Sequence, residues 1–124
     1  MNSTEILIKF KNQLLNFMDE LIQQFPEETD FVLFKLFLSN QMPILTSIDL
    51  FIKQLNRNDG CVRKMITDRN ETFFFEENNF PFVSPTKIKR MILLWTDLDQ
   101  FDKKIMWSWI DSLVLISDKY IIDL

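Results

Sequence analysis

The run Ser3-Thr4-Glu5-Ile6-Leu7-Ile8-Lys9-Phe10-Lys11-Asn12-Gln13-Leu14-Leu15-Asn16-Phe17-Met18-Asp19-Glu20-Leu21-Ile22-Gln23-Gln24-Phe25-Pro26 decides the fold class. At about 100° per residue, Leu7, Phe10, Leu14, Phe17, Met18, Leu21 and Phe25 fall on one side. Lys9, Asn12, Asn16, Glu20 and Gln23 fall on the other. This spacing predicts an amphipathic helix over 4–25, with Ser3 or Thr4 as N-cap and Pro26 as terminator. A helix of that length needs partners for its apolar side, so the rest of the chain must supply them.

Working outward, Pro26-Glu27-Glu28-Thr29-Asp30 puts a proline and three carboxylates where a second helix begins, and negative charge suits the positive end of a helix dipole. That helix, over 29–40, is apolar nearly all round through Phe31, Val32, Leu33, Phe34, Leu36, Phe37 and Leu38, and is expected to be central. Pro43 opens a third helix to Asn56 with Ile44, Ile48, Phe51, Ile52 and Leu55 inward. The turn Asn56-Arg57-Asn58-Asp59-Gly60 holds the single glycine and precedes a short helix over 61–68, with Cys61, Val62, Met65 and Ile66 on its apolar side. Residues 69–84 have no clean period and read as a short helical turn and a loop. Ser84-Pro85 then supplies an N-cap and first-turn proline for a helix over 85–96, with Ile88, Met91, Ile92 and Trp95 inward. Asp99 caps a last helix over 100–119. The expectation is an all-α, single-domain bundle of five or six helices over 1–124.

Composition narrows the function. Of 124 residues, 47% are hydrophobic and 26% charged, which is globular rather than disordered. With no His and one Cys, the chain lacks a Ser-His or Cys-His pair, a Cys2His2 zinc site and an internal disulfide. One glycine cannot build a Gly-rich phosphate loop. Carboxylate neighbours such as Glu76 with Glu77, or Asp97 with Asp99, sit in polar turns that capping and solvation explain. Cys61 lies near Arg63 and Lys64, which favours a thiolate, but a lone Cys on an apolar helix side is more simply buried. No catalytic residue, metal or cofactor is expected. No uncharged window of 18 apolar residues occurs, and Glu5, Lys9, Lys11, Asp19 and Glu20 interrupt the start where a signal peptide would be apolar; the reading is therefore cytoplasmic, with no membrane partner. The glycosylation triplets at Asn2 and Asn70 then carry no meaning.

Two surfaces stand out. With Ile105 at 0°, Phe101, Trp109, Leu113, Ile116 and Tyr120 make one stripe of the last helix, and Met106, Trp107, Ile110, Val114 and Ile121 make a second cluster across from it. Either this helix is central, or its second cluster meets another protein or a second copy, with Trp107 as the anchor. The other surface is basic. Net charge is -4, yet residues 51–96 hold 8 Lys and Arg against 5 Asp and Glu, whereas residues 1–50 hold 3 against 7. Arg57, Arg63, Lys64 and Arg69, with Lys87, Lys89 and Arg90, are the candidate nucleic-acid contacts, and Phe73 to Phe75 could stack bases. Asp59, Asp68, Glu71, Glu76 and Glu77 interrupt that patch, so nucleic acid is the less favoured partner.

The order of four motifs carries a resemblance: Phe25-Pro26-Glu27-Glu28, Asp68-Arg69-Asn70-Glu71-Thr72-Phe73-Phe74-Phe75, Leu94-Trp95-Thr96-Asp97-Leu98, and Ile105-Met106-Trp107-Ser108-Trp109-Ile110-Asp111-Ser112-Leu113. The chain resembles a family of small helical proteins of nucleocytoplasmic large DNA viruses, especially algal and mimivirus-like ones. Its 13 Phe, single Gly and absence of Ala agree with an AT-rich genome. Residues 77–86 are richer in Pro and Phe than that pattern. The resemblance implies the cytoplasm, virus factory or virion of an infected cell, and attaches no activity. The expected function is a non-enzymatic interaction or assembly module working through an apolar helical face. The alternatives are a small virion component or a nucleic-acid-binding accessory protein using 57–90. A groove-bearing apoptosis regulator of the Bcl-2 group is disfavoured, because its Gly-containing signature has no place when Gly60 sits in a polar turn.

Overall fold

A computed structural model describes residues 2–74 and 84–123, apart from the side chains of Phe74 and Asp123. The protein is all-α. Among the described residues there are six α-helices and no strand: α1 (Ser3–Gln24), α2 (Thr29–Asn40), α3 (Ile44–Leu55), α4 (Arg57–Thr67), α5 (Pro85–Asp97) and α6 (Gln100–Asp123), with a 3-10 turn at Glu71–Phe74. The sequence places every helix within a few residues of these bounds. The last runs further than expected, to Asp123 rather than 119.

Helix ends follow local chemistry. The N-cap of α1 is Asn2, not Ser3 or Thr4: its Oδ1 accepts from the Glu5 N–H at 2.9 Å, so the helix starts one residue early. Ser84 caps α5 by accepting from the Lys87 N–H, with Pro85 in the first turn. Asp99 accepts from the Asp102 N–H at 2.7 Å and opens α6.

The α4 segment begins with a left-handed turn, because Asn58, Asp59 and Gly60 have φ of 53°, 57° and 83°. Asn and Asp are the side chains that tolerate this region best. The regular helix therefore follows Gly60, where the sequence places it. A Cβ at Gly60 would meet nothing within 4 Å, so the cost of adding one is conformational alone. Gly60→Ala is expected to lower stability by about 1 kcal/mol, measured by urea unfolding. Cys61, expected to be buried, is exposed. Val62 and Ile66 take the buried side instead, and Cys61 is turned outward beside the bend.

The other end of α4 closes with a Schellman motif. Arg69, at φ 55°, donates its N–H to the Ile66 carbonyl at 3.1 Å, and Asn70 donates to the Met65 carbonyl at 2.8 Å. Glycine is usual at such a position. Arg69 is held there by its side chain, which donates from Nη1 to the Ile66 carbonyl and lays its guanidinium over the Trp107 ring at 5.3 Å.

The chain forms two compact units: residues 1–52 with 109–124, and residues 53–108. In the first, Ile6 and Phe10 of α1, Ile48 of α3, and Leu113, Ile116 and Tyr120 of α6 form the core, flanked by Leu7, Leu14, Phe17, Phe51 and Ile52. The Phe17 ring stacks on Trp109 with centroids 6.3 Å apart, and Gln13 Nε2 donates to Ser112 Oγ at 2.7 Å. In the second, an aromatic cluster dominates. Trp95 meets Trp107 edge to face at 5.8 Å, and Phe73 lies 6.1 Å from Trp107. Lys103 sits 5.4 Å over the Trp95 ring and pairs with Glu71 at 3.3 Å.

Candidate interaction surface

The expected partner site on α6 is corrected by burial. Met106, Trp107 and Ile110 are only 2%, 6% and 4% exposed, Val114 is half-buried, and Ile121 alone is exposed. The reason is angular. Ile116, Tyr120, Leu113, Met106, Ser117, Ile110 and Trp107 occupy one continuous arc of about half the helix circumference, so the two apparent stripes are one broad buried face. Met106, Trp107 and Ile110 are thus core of this chain. Phe101, expected inward, is 71% exposed at the start of α6, on the arc it shares with Ser108 and Leu115.

The second helix is corrected the other way. Expected to be central, α2 fully buries only Leu38. Phe31, Phe34 and Lys35 join Leu38 on its inner side, where they are at least half covered. Val32, Leu33, Leu36 and Phe37 point outward and are 41%, 61%, 51% and 38% exposed. Their i, i+1, i+4, i+5 spacing puts all four on one face, continued by Thr29 and Asn40 at its ends. Scattered exposed leucines need no explanation, but four adjacent large apolar side chains on one helix do.

The helix that carries this face is fastened from behind. α1 packs along α2. Lys35 pairs with Asp19 of α1 by an ion pair, and Lys11 Nζ donates to the Ser39 carbonyl at 3.2 Å, satisfying an acceptor in the last turn of α2. Phe25 and Phe31 meet at 6.0 Å where the chain turns from α1 into α2. Phe34 stacks with Phe37 at 6.4 Å, which ties an outward ring to an inward one. The Gln41 and Met42 N–H groups both donate to the Phe37 carbonyl, closing the helix before Pro43.

The basic residues lie elsewhere. Arg57, Arg63 and Lys64 are on α4, Arg69 follows it, and Lys87, Lys89 and Arg90 are in the first half of α5. Lys64, Lys87, Lys89 and Arg90 are exposed, and Arg57 and Arg63 are half-buried. Arg69 is committed to Trp107 and to its own helix end. Phe73 is 8% exposed and belongs to the tryptophan cluster rather than to a stacking platform. Phe75, Glu76 and Glu77, and the Phe74 side chain, lie outside the described residues. Asp59, Asp68 and Glu71 are exposed among the first basic group.

Asp99, one of the paired carboxylates, is committed as the α6 cap. Among the described residues no group of three or more His, Cys, Asp or Glu is placed to hold a metal ion. No single helix among them is long and apolar enough to cross a membrane; α2 and α3 reach that composition only as a pair bent by 117°. No family model matches the chain, and neither does any curated protein or solved structure.

Proposed function

We propose that this protein is a non-enzymatic interaction and assembly module whose contact surface is the outer face of α2. The observation that carries the reading is the exposure of Val32, Leu33, Leu36 and Phe37 together on a helix whose opposite side is bonded to α1. Such a face is the form a helix takes when its apolar surface is to be covered by another protein. A protein partner fits better than nucleic acid, because Arg69 serves its own helix end and acidic residues stand among the basic ones. A lipid surface fits less well, because the unit that carries α2 holds 4 Lys and Arg against 10 Asp and Glu, and interfacial helices bring cations to the headgroups. The resemblance to large-DNA-virus proteins supports the cytoplasm of an infected cell as the setting, with virus factory or virion as the place of assembly.

Photo-crosslinking tests this reading. A benzophenone side chain at position 33 is expected to give a protein adduct of defined identity by mass spectrometry, and the same group at the exposed Thr67 is expected to give none. No adduct at position 33, or lipid adducts alone, would sink the proposal.

A further inference from the structure

We infer that the partner of this face is a second copy of the same chain, with α2 laid antiparallel against α2 about a two-fold axis; this rests on α2 being the contact surface. Charge is what selects the occupant. The N-terminal end of α2 is acidic, with Glu27, Glu28 and Asp30 at or beside its first turn. Its C-terminal end is different. No carboxylate occurs from Phe31 through Gln41, and the Lys11 ammonium is brought there by its bond to the Ser39 carbonyl. Between the two ends the outer face is uncharged, because Lys35, the one charged side chain in that stretch, is turned back to Asp19.

An antiparallel pair sets the acidic end of each copy against the Lys11 end of the other and lays apolar side chains on apolar side chains. The helix dipoles oppose favourably in the same arrangement. A parallel pair would set acid on acid. Such a self-complementary patch, carrying its own opposite charges at its two ends, is what an isologous two-fold contact requires. Four exposed apolar side chains on a 12-residue helix are few beside the roughly 20–30 residues a side of a standard interface. The pair is therefore reversible, with a Kd on the order of micromolar or weaker.

Sedimentation velocity on the full chain across a concentration series tests this. Wild type is expected to move from monomer toward dimer as concentration rises. Leu33→Glu and Leu36→Glu are each expected to weaken association by about tenfold or more with unchanged far-UV circular dichroism, since these side chains hold no part of the core. Leu115→Glu, an exposed apolar position on α6, is expected to leave association unchanged. Lys11→Glu is expected to weaken it, because the end that meets Glu27, Glu28 and Asp30 of the other copy then carries the same sign of charge. A wild type that stays monomeric at every concentration overturns self-pairing, as does a dimer indifferent to Leu33→Glu. A dimer lost in Leu33→Glu but indifferent to Lys11→Glu overturns the antiparallel register. If purified protein stays monomeric while position 33 crosslinks to another defined protein, self-pairing fails and the interaction reading stands. If neither experiment gives a contact, both fail.

Discussion

Trp107→Ala is expected to destabilise the protein by about 3–5 kcal/mol, the range for removing a large buried aromatic side chain. Trp107 is 6% exposed and is the hub of the second unit's aromatic cluster, meeting Trp95 at its edge, Phe73 across a tilted contact and the Arg69 guanidinium above its ring. Deleting the ring opens a cavity and leaves three neighbours without their common partner. Aromatic pairs contribute about 0.5–1.5 kcal/mol beyond their burial, so the loss sits at the upper part of the range. Against a total stability of about 5–15 kcal/mol, that is a large fraction of what keeps the protein folded. Urea unfolding followed by circular dichroism measures it. Trp107→Phe should recover much of the loss, and Trp107→Glu should be worse than alanine because it buries a charge with no partner. A Trp107→Ala variant with the wild-type midpoint and altered self-association would return this residue to an interface.

The residues that resist sequence reading are those whose apolar pattern has no angular contrast. For α1, α3 and α5, turn chemistry and one-sided periodicity place the ends to within a few residues and name most of the inner face: Phe10, Ile48, Leu55, Ile88 and Trp95 are buried where the spacing puts them, while Ile6 and Leu94 are buried beside the stripes it names. In α2, the inner Phe31, Phe34 and Leu38 and the outer Val32, Leu33, Leu36 and Phe37 are equally apolar. No periodicity can then say which side is covered, because that depends on the presence of other elements. A helix apolar all round is central only if enough neighbours exist to surround it. The one local signal for orientation is Lys35, which shares the inner side and finds Asp19 of α1 there. Reading Lys35 as a solvent-facing residue inverts the helix.

The same argument runs in reverse for α6. More than half of its circumference is apolar, which the sequence reads as either a central helix or an interface. The structure buries the second cluster within the chain at Met106, Trp107 and Ile110, and the first at Leu113, Ile116 and Tyr120. Buried Ser117, whose hydroxyl donates to the Val114 carbonyl at 2.8 Å, shows that a polar residue can occupy the middle of that face once its hydrogen bond is made within the helix. Val32, Leu33, Leu36 and Phe37 of α2 are exposed while Met106, Trp107 and Ile110 of α6 are buried, because burial is a property of the whole chain and amphipathicity a property of one helix.

The contrast between a covered and an uncovered apolar residue is measurable within the first unit. Phe10→Ala is expected to cost about 3–5 kcal/mol, and Leu33→Ala less than about 0.5 kcal/mol, although both remove a large apolar side chain. Phe10 is 1% exposed, its ring centroid is 5.5 Å from that of Phe51, and it packs among Ile6, Ile48, Leu113, Ile116 and Tyr120. Those neighbours come from three helices, so no small shift of one of them fills the space that the ring leaves. Phe10→Leu keeps much of the apolar volume and is expected to cost nearer 1.5 kcal/mol. Leu33 is 61% exposed and loses little by truncation in the monomer. The comparison belongs at low protein concentration, where self-association adds nothing to the apparent stability of the wild type. At high concentration Leu33→Ala should become measurably destabilising while the penalty for Phe10→Ala stays the same or grows, because only the α2 face draws stability from a second copy. Equal penalties at both positions at low concentration would mean that α2 is covered within its own chain, and the outer face would then be core.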